Sequence, residues 1–117
     1  MQYTLQIFET AEGFAARTAP LARDAYWAGT MAYLQALKDA GVFAGGAGLQ
    51  PPASATTLRH LRGELQIQDG PILETKEMLG GFFVIEVPDL DSAISWAARF
   101  PDRPGVVLEI RPNLPQD

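Results

Sequence analysis

Residues 82–111 read FFVIEVPDLDSAISWAARFPDRPGVVLEIR, and the order of residue types along this stretch decides the fold. FFVIEV is rich in aromatic and β-branched residues and predicts a central strand. Asp89 stands where a helix N-cap is expected, Leu90, Ala93, Ile94 and Ala97 recur as an apolar helical stripe, and Pro101 marks the end. VVLEIR (106–111) predicts a last strand.

Toward the N-terminus, residues 2–8 alternate, with Tyr3, Leu5 and Ile7 on one face and Gln2, Thr4 and Gln6 on the other, the period-two pattern of a half-buried strand. The stretch ETAEGFAARTA (9–19) reads as a loop. Pro20 suits a first helical turn, and Trp27, Met31, Leu34 and Leu37 recur at helical spacing, so a helix is predicted over roughly 20–40 with Gly41 as its left-handed stop. VFAGGAGL (42–49) is a strand weakened by three glycines, and QPPASA (50–55) a loop, because two prolines remove donors and fix φ. TTLRHL and ELQIQ, split by Arg62-Gly63, form the arms of a hairpin. The order strand, helix, strand, hairpin, strand, helix, strand specifies an α+β fold: a ferredoxin-like antiparallel sheet with two helices on one face and a β-hairpin insertion. No linker divides it, so residues 1–117 are expected to form a single domain.

The two faces of that sheet differ. One parity gives Phe83, Ile85 and Val87 with Val106, Leu108 and Ile110, suited to lie under the helices. The other gives Phe82, Val84 and Glu86 with Val107, Glu109 and Arg111, joined by Gln2, Thr4 and Gln6. This mixed face is too apolar for bare solvent and too charged for a dry core, so it is expected to meet a partner subunit around a polar cavity.

Bulk properties exclude several function classes. In 117 residues, 47% are hydrophobic and 20% charged, and the net charge is −5 with nine scattered Lys and Arg. A nucleic-acid binder would carry a basic patch. No run approaches the roughly 20 apolar residues of a membrane helix and no basic segment precedes an apolar run at the N-terminus, so the expected location is cytoplasmic, with no membrane partner. The chain has no cysteine, which removes disulfides, thiolate nucleophiles and Cys-held metals.

Between hairpin and central strand lies QDGPILETKEMLGG (68–81). Asp69-Gly70-Pro71 is turn chemistry, ETKEML suits one helical turn, and Gly80-Gly81 releases the chain into the strand at 82. GLQP, ATTLR, the run from DGPILETKEMLGG to SAISWAARFP, and EIRP occur together and in that order. This arrangement resembles the YCII-related family, and within it the branch named for its DGPF motif, over nearly the whole chain from Met1 to Pro112. The resemblance implies a homodimer of the dimeric α+β barrel type and, for most members, no assigned activity. Ile72 stands where the motif has Phe. In relatives with a suspected acid–base role, the pair is a His on the first helix and an Asp just before the proline that ends the second. Registered on Gly41 and Pro101, those positions hold Thr30 and Phe100, neither of which shuttles a proton near neutral pH.

The candidate chemistry is therefore sought elsewhere. Asp69, Glu74, Lys76 and Glu77 offer carboxylate bases and a cation for an anionic substrate if the loop folds over the sheet; the same residues equally suit ion pairs between subunits. Trp27, Thr30, Tyr33 and Phe82 are the expected lining of a ligand cavity. His60, the single histidine, lies in the hairpin beside Arg59 and Arg62 and reads as an exposed strand residue, and no metal or other cofactor is expected. GGAG (45–48) is followed by Leu-Gln-Pro-Pro rather than a helix, so it reads as a bulge or close backbone approach instead of a phosphate loop. Two readings stay open: a small-molecule-binding protein or small acid–base enzyme of lyase or isomerase type, and a non-catalytic regulatory module. The second follows from the resemblance, since some relatives are associated with alternative sigma factors.

Overall fold

The computed structural model describes residues 1–115. Its elements are β1 (Gln2–Glu9), α1 (Ala11–Ala16), α2 (Arg23–Asp39), β2 (Phe43–Gly48), a 3-10 turn (Pro52–Ser54), β3 (Thr56–Leu61), β4 (Glu64–Asp69), β5 (Met78–Glu86), α3 (Leu90–Ala98) and β6 (Val107–Pro112). Strands β2, β5, β1 and β6 form an antiparallel sheet in that order. With the β3–β4 pair set aside, this is the ferredoxin-like arrangement the sequence predicts.

The alternation in β1 places Tyr3, Leu5 and Ile7 in the core, where Leu37, Phe83, Ile85, Val87, Ala93 and Phe100 meet them. The opposite face, carrying Thr4, Gln6, Phe82 and Val84, is half-buried, and Glu86, Val107 and Glu109 on it are exposed. Asp89 caps α3 as expected, its side chain accepting the Ser92 N–H at 2.8 Å. Gly41, at φ 72°, ends α2. The Val42 and Gly41 N–H groups turn back onto the carbonyls of Leu37 and Lys38, a Schellman closure.

Four local expectations are corrected. Residues 11–16 are helical rather than loop, because Thr10 accepts the Gly13 N–H and supplies an N-cap to an alanine-rich run. The buried face of α2 carries Tyr26, Tyr33 and Leu37, whereas Trp27 and Met31 are 43% and 57% exposed. ETKEML forms no helical turn, since Met78 and Leu79 already pair with Glu9 and Phe8. Gly80 and Gly81 lie inside β5, with the register shifting between Ile7 and Phe8 so that Gly80 is the bulged residue.

The hairpin turns on Arg62 (φ 52°) and Gly63 (φ 80°), both left-handed as a type I′ turn requires. It stands apart from the main sheet, with Leu58, Leu61, Leu65 and Ile67 each at least half exposed. The radius of gyration, 16.0 Å, accordingly exceeds the about 13 Å of a compact chain this long.

Candidate functional site

The inward parity of β1 runs Tyr3, Leu5, Ile7 and then Glu9, so the strand delivers a carboxylate to the edge of the core. Glu9 is 2% exposed. Arg103, from the loop between α3 and β6, donates to its Oε1 at 2.9 Å, and Arg17, which closes α1, reaches Oε2 at 3.4 Å. The Tyr26 hydroxyl, from the buried face of α2, lies 2.8 Å from both oxygens. Burial, and next the hydrogen bond to Glu9, push the Tyr26 hydroxyl above its ordinary pKa, so it is the donor of that contact.

Both guanidinium groups are fixed on several sides. Arg17 donates through Nε to the Tyr26 hydroxyl at 2.9 Å, through Nη1 to the Leu49 carbonyl, and through Nη2 to the Gly80 carbonyl at 3.0 Å. The bulge makes that last contact available. Gly80 has no side chain for a further reason: a Cβ there would lie 3.1 Å from Arg17 Nη2, 3.3 Å from Phe14 and 3.4 Å from Glu9. Arg103 donates through Nη2 to the Tyr26 carbonyl at 3.0 Å and to the Thr30 hydroxyl, and its guanidinium lies 3.8 Å from the Tyr26 ring centre.

Beside this cluster lies a cavity of about 230 Å³, between α2 and the stretch where β2 and β5 are glycine-rich. Glu9, Arg17, Tyr26 and Arg103 form its polar end; Trp27, Met31, Phe43, Phe83 and Phe100 are among its apolar walls. Gly46, Gly48, Gly80 and Gly81 are also in its lining, and at Gly46 and Gly81 the two strands come too close for a side chain. GGAG is thus a close approach with a register shift, as its composition suggests: a Cβ on Gly46 would fall 2.5 Å from the Phe82 carbonyl oxygen. The lining includes the core-parity residues Ile7, Glu9 and Phe83 together with residues of α2, so this cavity lies on the helix side of the sheet.

The residues singled out in the sequence divide into two groups. Trp27, Thr30 and Phe100 line the cavity, and Phe82 borders it although its parity on β5 belongs to the opposite face. Tyr33 lies deeper in the core. Its hydroxyl donates to the Trp96 carbonyl at 2.7 Å, its ring meets Phe83 and Phe100 edge-on, and burial pushes its pKa up to about 12. Asp69, Glu74, Lys76 and Glu77 are exposed and line no part of this cavity, and among the described residues they form no ion pair. The turn beside them is held by backbone: the Gly70 N–H donates to the Ala55 carbonyl and the Thr57 hydroxyl to the Gly70 carbonyl, each at 2.7 Å. His60 is exposed on β3.

Glu9, Arg17 and Arg103 were not singled out, although one signal was present: a carboxylate on the apolar parity of a strand is a buried charge unless the strand has ended. Comparison with known proteins adds the lineage. The YCII-related domain matches residues 6–112. An uncharacterised protein of Rhizobium meliloti (strain 1021) is 49% identical over 49 residues, a match spanning 42% of this chain and 40% of that protein.

Proposed function

This chain belongs to the YCII-related family, and from that premise we propose that it is a small-molecule-binding protein whose ligand occupies the cavity between α2 and the glycine-lined part of the sheet. The observation that carries the reading is the joining of an apolar cavity of about 230 Å³ to a buried ion cluster at one end. Apolar walls with a few fixed polar groups are the usual make-up of a ligand site. Trp27 lines the cavity, so occupation should be visible in its fluorescence.

The test is a thermal-shift screen against a metabolite library, repeated with Trp27→Phe. A ligand at about a hundred times its Kd adds roughly 2.7 kcal/mol, and a cavity ligand also changes an emission that Trp27→Phe abolishes. Stabilisation by ligands that leave Trp27 emission untouched moves the site elsewhere. The same screen tests the acid–base alternative on Asp69, Glu74 and Lys76, because a hit converted to product is an enzyme's substrate, whereas a hit recovered unchanged favours a binding or regulatory module.

The proposal includes a homodimer through the outer sheet face. Phe82 and Val84 lie there, half-buried, beside Thr4, Gln6 and the exposed Val107 and Glu109. Light scattering at micromolar concentration is expected to give twice the chain mass, and a monomer removes this part of the reading.

A further inference from the structure

We infer that the cavity takes a small monocarboxylate whose head is held by Arg103, an inference that rests on the cavity being the ligand site. The first argument is charge. Arg17 and Arg103 bring two positive charges and Glu9 one negative, leaving one positive charge in excess where the arginine side chains are 11% and 12% exposed. A cation so far out of water is lowered in energy by an anion that donors can reach.

The second argument is a count of donors. Four of the five N–H groups of Arg17 donate to Tyr26, Leu49, Glu9 and Gly80. For Arg103, three donate, to Glu9, the Tyr26 carbonyl and Thr30. Among the described residues its Nε–H and one Nη1–H have no acceptor. The guanidinium that keeps these donors is already oriented, 3.8 Å from the Tyr26 ring centre and 5.1 Å from that of Phe100. Binding therefore orders little that is not ordered already.

Charge and size then select the ligand. One carboxylate cancels the excess, whereas a phosphate monoester, at about −1.5 to −2 near neutral pH, would turn the buried site negative. An apolar cavity of about 150 Å³ admits benzene, and the one here is about 230 Å³, room for one ring or a short branched chain plus a carboxyl group. Trp27, Met31, Phe43 and Phe83 suit such a body.

The experiment titrates the intact protein at pH 7 with benzoate, benzamide and phenyl phosphate, reading Trp27 emission. Benzoate is expected to saturate and to bind about tenfold or more tighter than benzamide, the difference a charge-assisted hydrogen bond supplies, and phenyl phosphate to bind more weakly than benzoate. Arg103→Gln should remove the preference for benzoate over benzamide. If that variant fails to fold, the three probes on the unaltered protein decide alone. Equal affinity for benzamide and benzoate overturns the anion assignment and keeps the cavity as a ligand site. Preference for phenyl phosphate overturns the monocarboxylate. No change in Trp27 emission with any probe overturns the cavity site as well.

Discussion

Replacing Glu9 by glutamine keeps the shape of the buried cluster and removes the negative charge between two arginines. The carboxylate is 2% exposed, and its partners approach to 2.9 and 3.4 Å with 12% and 11% of their side chains exposed, respectively, so solvent screens little. Breaking a buried ion pair on one side destabilises by about 3–5 kcal/mol, and since glutamine retains one acceptor oxygen the lower end applies. Unfolding entropy of about 2.1 cal/mol/K per residue, over 117 residues, makes about 3 kcal/mol a fall in Tm of roughly 12 °C. The control is Glu86→Gln. Its side chain is 60% exposed and pairs with the terminal amine at 3.6 Å, a contact contributing about 0–1 kcal/mol. Thermal melts by circular dichroism, with urea titrations to check that m is unchanged, give both values. The double variant Glu9→Gln/Arg103→Gln, which removes one of the two stranded cations, should recover part of the loss. If Glu9→Gln melts within about 3 °C of Glu86→Gln, the cluster contributes no such electrostatic stability and the argument fails.

Three further outcomes follow from single positions. Gly70 has φ 94° and open space where a Cβ would stand, so Gly70→Ala carries backbone strain alone and should cost about 1 kcal/mol in the melt, while Lys76→Ala, on an exposed side chain, should stay within about 0.5 kcal/mol. Tyr33, raised to about 12 by burial, holds its proton in the folded chain after the unfolded chain has lost it. Its contribution is therefore full below pH 10, about the unfolded value, and declines as pH rises toward 12; Tyr33→Phe should flatten that part of an alkaline denaturation profile, and an unchanged slope refutes the assignment.

What could be read from the sequence was whatever depends on periodicity and on single capping residues. Tyr3, Leu5 and Ile7 alternate because one face of β1 is buried, Asp89 and Gly41 mark helix ends by their own side-chain or backbone chemistry, and Arg62-Gly63 suits a tight turn. Trp27 and Thr30, one turn apart on α2, both stand in the cavity lining. The ion cluster was missed for a different reason. Arg103 and Glu9 are 94 residues apart, and neither local spacing nor composition brings them together. Gly80-Gly81 read as a break because glycine has low strand propensity, but the ladder to β1 and the close approach of β2 hold it in place.

The position of β1 at the centre of the sheet bears on how the chain reaches its fold. Both of its neighbours are made late: β5 begins at Met78 and β6 at Val107, and the side-chain contact between Thr4 and Asn113 joins residues 109 apart. At roughly 5–20 residues per second of translation, Tyr3, Leu5 and Ile7 spend several seconds as an apolar strand with no pairing edge. Closure over so long a stretch of chain is also slow once synthesis is complete. We therefore expect acquisition of the sheet to be a late, collective event.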